Sequence, residues 1–118
     1  MNGSGCEWVV EAFGCDEASL RDPAKLDLLF AQIVEGMALH PLDKARWHRF
    51  PGPGGLTGMC LLTESHLACH TFPEYRSLCL NVFCCRERPE WDFAACLKSE
   101  FAAGEVRVRR LERPYKTP

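Results

Sequence analysis

No stretch of this sequence approaches the roughly 20 consecutive apolar residues that a membrane-spanning helix requires. The opening residues, Met1 to Glu11, hold no basic segment followed by an apolar one, so no secretory leader is read there and a cytoplasmic location is expected. Neither sign of charge is in excess: the formal net charge is −2 and the pI near 6.1. A general affinity for nucleic acid or for an anionic membrane is therefore not expected. Low-complexity segments and internal sequence repeats are absent too, and no Cys-x-x-Cys pair is present to begin a zinc site.

Cysteine itself is plentiful, with Cys6, Cys15, Cys60, Cys69, Cys79, Cys84, Cys85 and Cys96. In a secreted chain they would suggest a disulfide framework; without a leader they read as reduced thiols, most of them small core residues. At 118 residues, 47% hydrophobic and 25% charged, the chain reads as one soluble domain over 1–118. It is large enough for a core and small enough that a homodimer is a natural way to cover the remaining apolar surface.

Trp8 to Phe13 is β-prone, and Asp22-Pro23 supplies an N-cap with proline at the first helical position. Leu26, Leu29, Phe30, Ile33, Val34 and Met37 then follow the spacing of one helical stripe, ending near His40-Pro41. Ala45 to Phe50 reads as a strand, and Pro51 to Gly55 as a loop rich in breakers. Thr57 to Thr63 and Leu78 to Cys85 read as strands, with a short one from His66 to Thr71. Pro89 is expected to open a second helix through Phe93, Leu97 and Phe101, capped by Gly104, and Glu105 to Leu111 closes as an edge strand. This order lacks strict βαβ alternation, so the predicted fold is α+β: a two-layer sandwich of a mostly antiparallel sheet with two helices on one face. The arginines of the last strand fit a solvated edge that resists aggregation.

The chemistry is concentrated between Leu62 and Glu74, where Glu64, Ser65, His66, Cys69, His70 and Glu74 crowd together. The residues alone admit a bland reading, a polar turn between strands with a satisfied histidine. A zinc reading of His66, Cys69 and His70 is weak, because positions 66 and 70 share one face of a strand and 69 the other; no metal is expected.

Glu64-Ser65-His66, His70-Thr71-Phe72-Pro73-Glu74 and Asn81-Val82-Phe83-Cys84-Cys85 together resemble the prokaryotic S-adenosylmethionine decarboxylase proenzymes, whose motifs run ESH, HTWPE and D-x-F-x-C. The likeness extends to Gly14-Cys15-Asp16, His48-Arg49-Phe50 and the glycines Gly55 and Gly58, and so covers nearly the whole chain. It implies that Ser65 attacks the Glu64 carbonyl, that His70 assists processing, and that Thr57 supplies a hydroxyl where the family usually has serine. Cleavage between 64 and 65 would leave a β chain 1–64 and an α chain 65–118, with a covalent pyruvoyl group derived from Ser65. That carbonyl does the work otherwise done by pyridoxal phosphate. The resemblance makes Cys85 the acid that protonates the carbon losing CO₂. Cys84 competes, but adjacent strand residues point to opposite faces and the spacing from Ser65 favours Cys85. It further implies that Phe50 stacks on adenine, that Phe72 lies near the site, and that Glu74 binds ribose hydroxyls. Phe50 and Phe72 are otherwise core aromatics, and Glu74 a solvated carboxylate.

The chain departs from the pattern at Glu7, where the family has histidine, and at Phe72, Asn81 and Arg86. Three hypotheses follow. The chain decarboxylates S-adenosylmethionine, supplying the aminopropyl donor for spermidine and other polyamines; or it performs the same chemistry on ornithine or arginine, with Glu7 meeting a distal ammonium; or it is an uncleaved homologue with a binding or regulatory role. A homodimer of cleaved protomers, with sites near the interface, is what the family implies.

Overall fold

The computed structural model describes residues 3–117. Its elements are β1 (Ser4–Phe13), α1 (Glu17–Leu20), α2 (Pro23–Gly36), β2 (Arg46–Arg49), β3 (Leu56–Leu61), β4 (Ser65–Phe72), a 3₁₀ turn (Pro73–Tyr75), β5 (Ser77–Cys84), α3 (Phe93–Phe101) and β6 (Glu105–Pro114). The strands form one sheet in the order β2-β3-β4-β5-β1-β6, and every neighbouring pair is antiparallel. The predicted α+β sandwich is the fold observed.

Alternation of side chains divides the sheet into two faces. Cys6, Trp8, Val10 and Ala12 of β1 share one face with Leu78, Leu80, Val82 and Cys84 of β5 and with Leu67, Cys69 and Thr71 of β4. All are buried, because α2 and α3 cover that face. Leu26, Leu29, Phe30 and Ile33 of α2 join Phe93, Leu97 and Phe101 of α3 in the same core. Full burial of each such side chain contributes about 1.5–3 kcal/mol, so the apolar stripe does far more for α2 than local propensity. Gly58 leaves room for the ring of its cross-strand partner: a Cβ there would stand 2.0 Å from the Trp47 ring. Trp47 in turn donates its indole N–H to Asp27 at 2.8 Å, tying β2 to α2.

Capping sets the helix starts. The Asp22 carboxylate accepts from the Ala24 amide at 3.0 Å, with Pro23 in the first turn, as the sequence predicts. α2 ends at Gly36, earlier than His40-Pro41, with Ala38 in the left-handed region at φ 54°. α1 is not predicted; it is a single turn capped by Asp16, which accepts from the Ser19 amide and hydroxyl. Those two hydrogen bonds hold the Asp16 carboxyl below its usual range. α3 starts after Asp92 rather than at Pro89, because the Asp92 side chain accepts from Ala95. Its left-handed cap is Ala102, at φ 56°, and not Gly104, whose amide instead donates to Phe13 at the start of β6.

The other face carries no helix. Glu7, Val9, Glu11 and Phe13 share it with His66, Ala68, His70 and Phe72, with Thr57, Met59 and Leu61, and with Cys79, Asn81 and Phe83. Met59, Leu61 and Phe72 are exposed there. Along the β6 edge the arginines are paired: Arg107 with Glu105, Arg109 with Glu11, Arg110 with Glu87 and Arg113 with Glu7. The guanidinium groups of Arg107, Arg110 and Arg113 also lie over Phe13, Trp8 and Phe83 respectively. Among the described residues no helix is long and apolar enough to cross a membrane.

Candidate active site

β4 begins at Ser65, directly after a tight turn centred on Thr63 and Glu64. The Leu62 amide donates across this turn to the Ser65 carbonyl at 3.0 Å, and the Thr63 amide donates to His40 at 2.9 Å. The peptide joining Glu64 to Ser65 is held from the other side as well. Cys85, one residue past β5, donates its backbone N–H to the Glu64 carbonyl at 2.7 Å. An amide so placed draws density from that carbonyl and would stabilise negative charge developing on its oxygen.

Cys85 is fixed from two directions. Tyr115 donates its hydroxyl to the Cys85 carbonyl at 2.9 Å, and Gly5 packs against the same backbone. A Cβ at Gly5 would lie 2.3 Å from the Cys84 carbonyl oxygen and 3.3 Å from the Cys85 Cα, so only glycine lets β1 approach. The two thiols differ in their surroundings. Cys84 is fully buried on the core side, and burial pushes its thiol up to about 12. Cys85, just past the strand, is half-buried and lies beside Glu64. The Glu64 carboxylate is gripped by Arg86, with contacts of 2.5 and 2.6 Å; that hydrogen bonding holds it below the usual carboxylate range.

His70 lies elsewhere. It occupies the helix-free face, and its Nδ1 is 2.9 Å from the Thr57 hydroxyl. Beside it His48 meets Phe50 edge-on, with ring centroids 4.7 Å apart. Phe72 is next on β4 and Glu74 follows in the 3₁₀ turn, both exposed. Ser65 and His70 are five residues apart on one extended strand, which separates their Cα atoms by about 17 Å. The site residues therefore fall into two groups at opposite ends of β4: Glu64, Ser65, Cys85 and Glu7 at the first, where Ser65 itself alternates onto the core side opposite Cys84, and Thr57, His70, Phe50, Phe72 and Glu74 at the second. Cys69, considered with the histidines as a metal ligand, is in the core, where burial raises its thiol.

Glu7 is not a free carboxylate. It accepts from Asn81 and from Arg113, and the Asn81 carbonyl oxygen lies 3.2 Å from His66 Nε2. His66 stacks on Phe83 at 5.6 Å. With Arg113 already neutralising it, Glu7 lacks the unpaired charge that a distal substrate ammonium would need. This run of contacts, like the Tyr115 contact, is missed by sequence reasoning because partners distant in sequence, such as Glu7 with Asn81 and Arg113, meet only through the register of β1, β5 and β6.

The helix-free face has a shallow depression of about 120 Å³, bordered by Val9, Glu11, Ala68, His70, Cys79 and Asn81. Ligand sites usually enclose about 300–1,000 Å³, so one protomer's face does not enclose a substrate. The larger clefts lie on the helical side, one beside Trp91 and Gly36 and one beside Pro41 to Ala45, away from Ser65.

Residues 6–114 match the family described as S-adenosylmethionine decarboxylase. An S-adenosylmethionine decarboxylase proenzyme of Moorella thermoacetica is 33% identical, covering 100% of this chain and 94% of that one. One from Caldanaerobacter subterraneus is 32% identical over 98% of this chain and 97% of its own length. Among solved structures, the adenosylmethionine decarboxylase of Aquifex aeolicus superposes with a TM-score of 0.77 at 19% identity, over 99% of this chain and 96% of that one; at that identity the likeness is one of fold.

Proposed function

As the chain belongs to the S-adenosylmethionine decarboxylase family, we propose that it is a precursor that cuts itself between Glu64 and Ser65 and then decarboxylates S-adenosylmethionine through a pyruvoyl group at residue 65. The observation that carries this reading is the 2.7 Å hydrogen bond from the Cys85 amide to the Glu64 carbonyl. It polarises the one carbonyl that the adjacent hydroxyl would attack, and it puts the half-buried thiol residue next to the new chain end. The relatives' shared designation as proenzymes agrees with a processed precursor.

The surroundings of residue 65 fit the group. It heads a strand whose preceding turn is held by three backbone amides, those of Leu62, Thr63 and Cys85, and a chain end created there is free of the strand's alternation. A pyruvoyl group at this position supplies an electrophilic carbonyl for a substrate amine and a sink for the electron pair left by CO₂. Cys85 holds the proton that the decarboxylated carbon receives, while Cys84, turned to the core and kept protonated by burial, takes no part. Phe50 provides an exposed ring for an adenine and Glu74 a carboxylate for ribose hydroxyls.

Two copies are needed. Packed face to face about a two-fold axis near Ala68, midway between Ser65 and His70, they bring the Thr57–His70 end of each to the Ser65–Cys85 end of the other, giving two complete sites. The same packing covers Met59, Leu61 and Phe72. In the test, purified protein is followed by intact mass for fragments 1–64 and 65–118, and CO₂ release is measured from carboxyl-labelled S-adenosylmethionine, ornithine and arginine in parallel. Cleavage with release from S-adenosylmethionine is the expected result. A chain that stays whole overturns self-processing; release from ornithine or arginine alone overturns the substrate.

A further inference from the structure

Arg88 is half-buried, its side chain 14% exposed. Its Nη1 donates to the Ala38 carbonyl, two residues past the end of α2, at 3.2 Å. Its Nη2 is 3.9 Å from the Glu64 carboxylate. Its Nε is buried with no hydrogen-bond partner among the described residues. A guanidinium left with a free, buried N–H is a donor awaiting an acceptor. Arg86 grips the same carboxylate from the exposed side in a two-point contact. In the uncut chain, two guanidinium charges thus face one carboxylate at residue 64.

We propose that Arg86 and Arg88 form an anion clamp on residue 64: Arg86 positions Glu64 for the cut, and Arg88 takes the α-carboxylate that the cut creates there. The clamp rests on the self-cleavage reading. In that reaction the Ser65 Oγ adds to the Glu64 carbonyl carbon, the bond from that carbon to the Ser65 nitrogen breaks, and the nitrogen takes the hydroxyl proton. Loss of the Ser65 Cα proton then expels the Glu64 carboxylate with the electron pair of the Cβ–O bond; water enters and ammonia leaves at residue 65. The products carry a second negative charge at residue 64, which balances the two arginines. A fully paired guanidinium is what makes a buried charge tolerable, so the cut chain end is held where it forms instead of swinging into solvent.

Arg86 is a positioning residue in this account, and Arg88 a ligand for the product carboxylate. The experiment has two arms. Cleavage is timed by intact mass after translation of wild type, Arg86→Ala and Arg86→Lys. Loss of the two-point grip is expected to slow the alanine variant roughly fivefold, the scale of one partly exposed ion pair, with partial recovery in the lysine variant. Arg88→Gln is then introduced both into the cleavable chain and into the uncuttable Ser65→Ala chain, and melting temperatures are compared. The drop is expected to be about 4 °C larger in the cleaved protein, and the excess should shrink at high salt. Arg88→Lys, which keeps the charge but has no Nε–H, replaces the glutamine variant if that one fails to fold. Equal drops in cut and uncut chains, or an Arg86→Ala chain cut at the wild-type rate, overturn the clamp while leaving self-cleavage in place. A wild-type control that never cleaves removes both.

Discussion

Mixing two inactive variants tests whether the two ends of β4 work within one chain or between chains. Ser65→Ala removes the attacking hydroxyl, and His70→Ala removes the imidazole that meets Thr57 at 2.9 Å; each alone should stay whole, the second slowed on the order of 100-fold or more. Within one chain the two residues are about 17 Å apart along β4, beyond the reach of a serine and a histidine side chain. In a mixed dimer, however, the intact Ser65 of the His70→Ala chain meets the intact His70 of the Ser65→Ala chain. With equal expression and unbiased pairing, about half of each variant's chains lie in mixed dimers. About half of the His70→Ala chains should therefore be cut, and none of the Ser65→Ala chains. Mass spectrometry assigns the cut chains, because fragment 65–118 carries the alanine at position 70. If mixed dimers form by size exclusion and no chain is cut, the division of the site between copies is refuted; a His70→Ala chain cut normally by itself refutes the role of His70.

Cys85→Ala should still be cleaved but lose decarboxylation, whereas Cys84→Ala should keep most activity and lose stability; equal loss of turnover in both would remove Cys85 as the specific acid. Gly5→Ala, whose Cβ would strike the Cys84 carbonyl at 2.3 Å, should impair cleavage and lower the melting temperature, checked by intact mass and thermal denaturation. Burial raises the Cys69 thiol in the folded state, so its contribution to stability is complete below the unfolded value of about 8.5 and is lost above it, at up to about 1.4 kcal/mol per pH unit. Melting temperature should therefore fall as pH rises past that point, with a shallower slope in Cys69→Ala; an unchanged slope would contradict the assignment.

Elements with a strong period were the easiest to read. α2 follows from its apolar stripe and from the Asp22-Pro23 cap, and β6 from Val106, Val108 and Leu111 set among charged residues. The sequence shows β4 only as His66 to Thr71, shorter than the strand Ser65–Phe72, because its inward positions are Leu67, Cys69 and Thr71, only the first of them plainly hydrophobic, yet all are buried. α1 could not be found from four residues, since one turn shows no periodicity and is held by Asp16 and the packing of Leu20. Ala102 in place of Gly104 as the cap of α3 reflects tertiary context overriding glycine's preference for the left-handed region. The motif residues of the site were legible individually; their arrangement was not. Which end of the face each occupies depends on the register of β3, β4 and β5, and the pairing of Glu7 with Arg113 depends on β6 lying beside β1.

The strand order has a consequence for the life history of the molecule. Residues 1–64 supply β1, β2 and β3, and residues 65–118 supply β4, β5 and β6, but in the sheet β4 and β5 stand between β3 and β1, and β1 stands between β5 and β6. Neither stretch owns a contiguous sheet, and neither can bury its apolar faces without the other. The uncut chain assembles this arrangement with both halves tethered, at the high effective concentration that a covalent link provides. After the cut the tether is gone, and any later unfolding releases two pieces that must find each other by diffusion before a sheet can re-form. Self-cleavage would thus make folding a single, unrepeatable event: the mature protein keeps a shape that its separated halves could not readily regain, and its working lifetime is set by how slowly it opens.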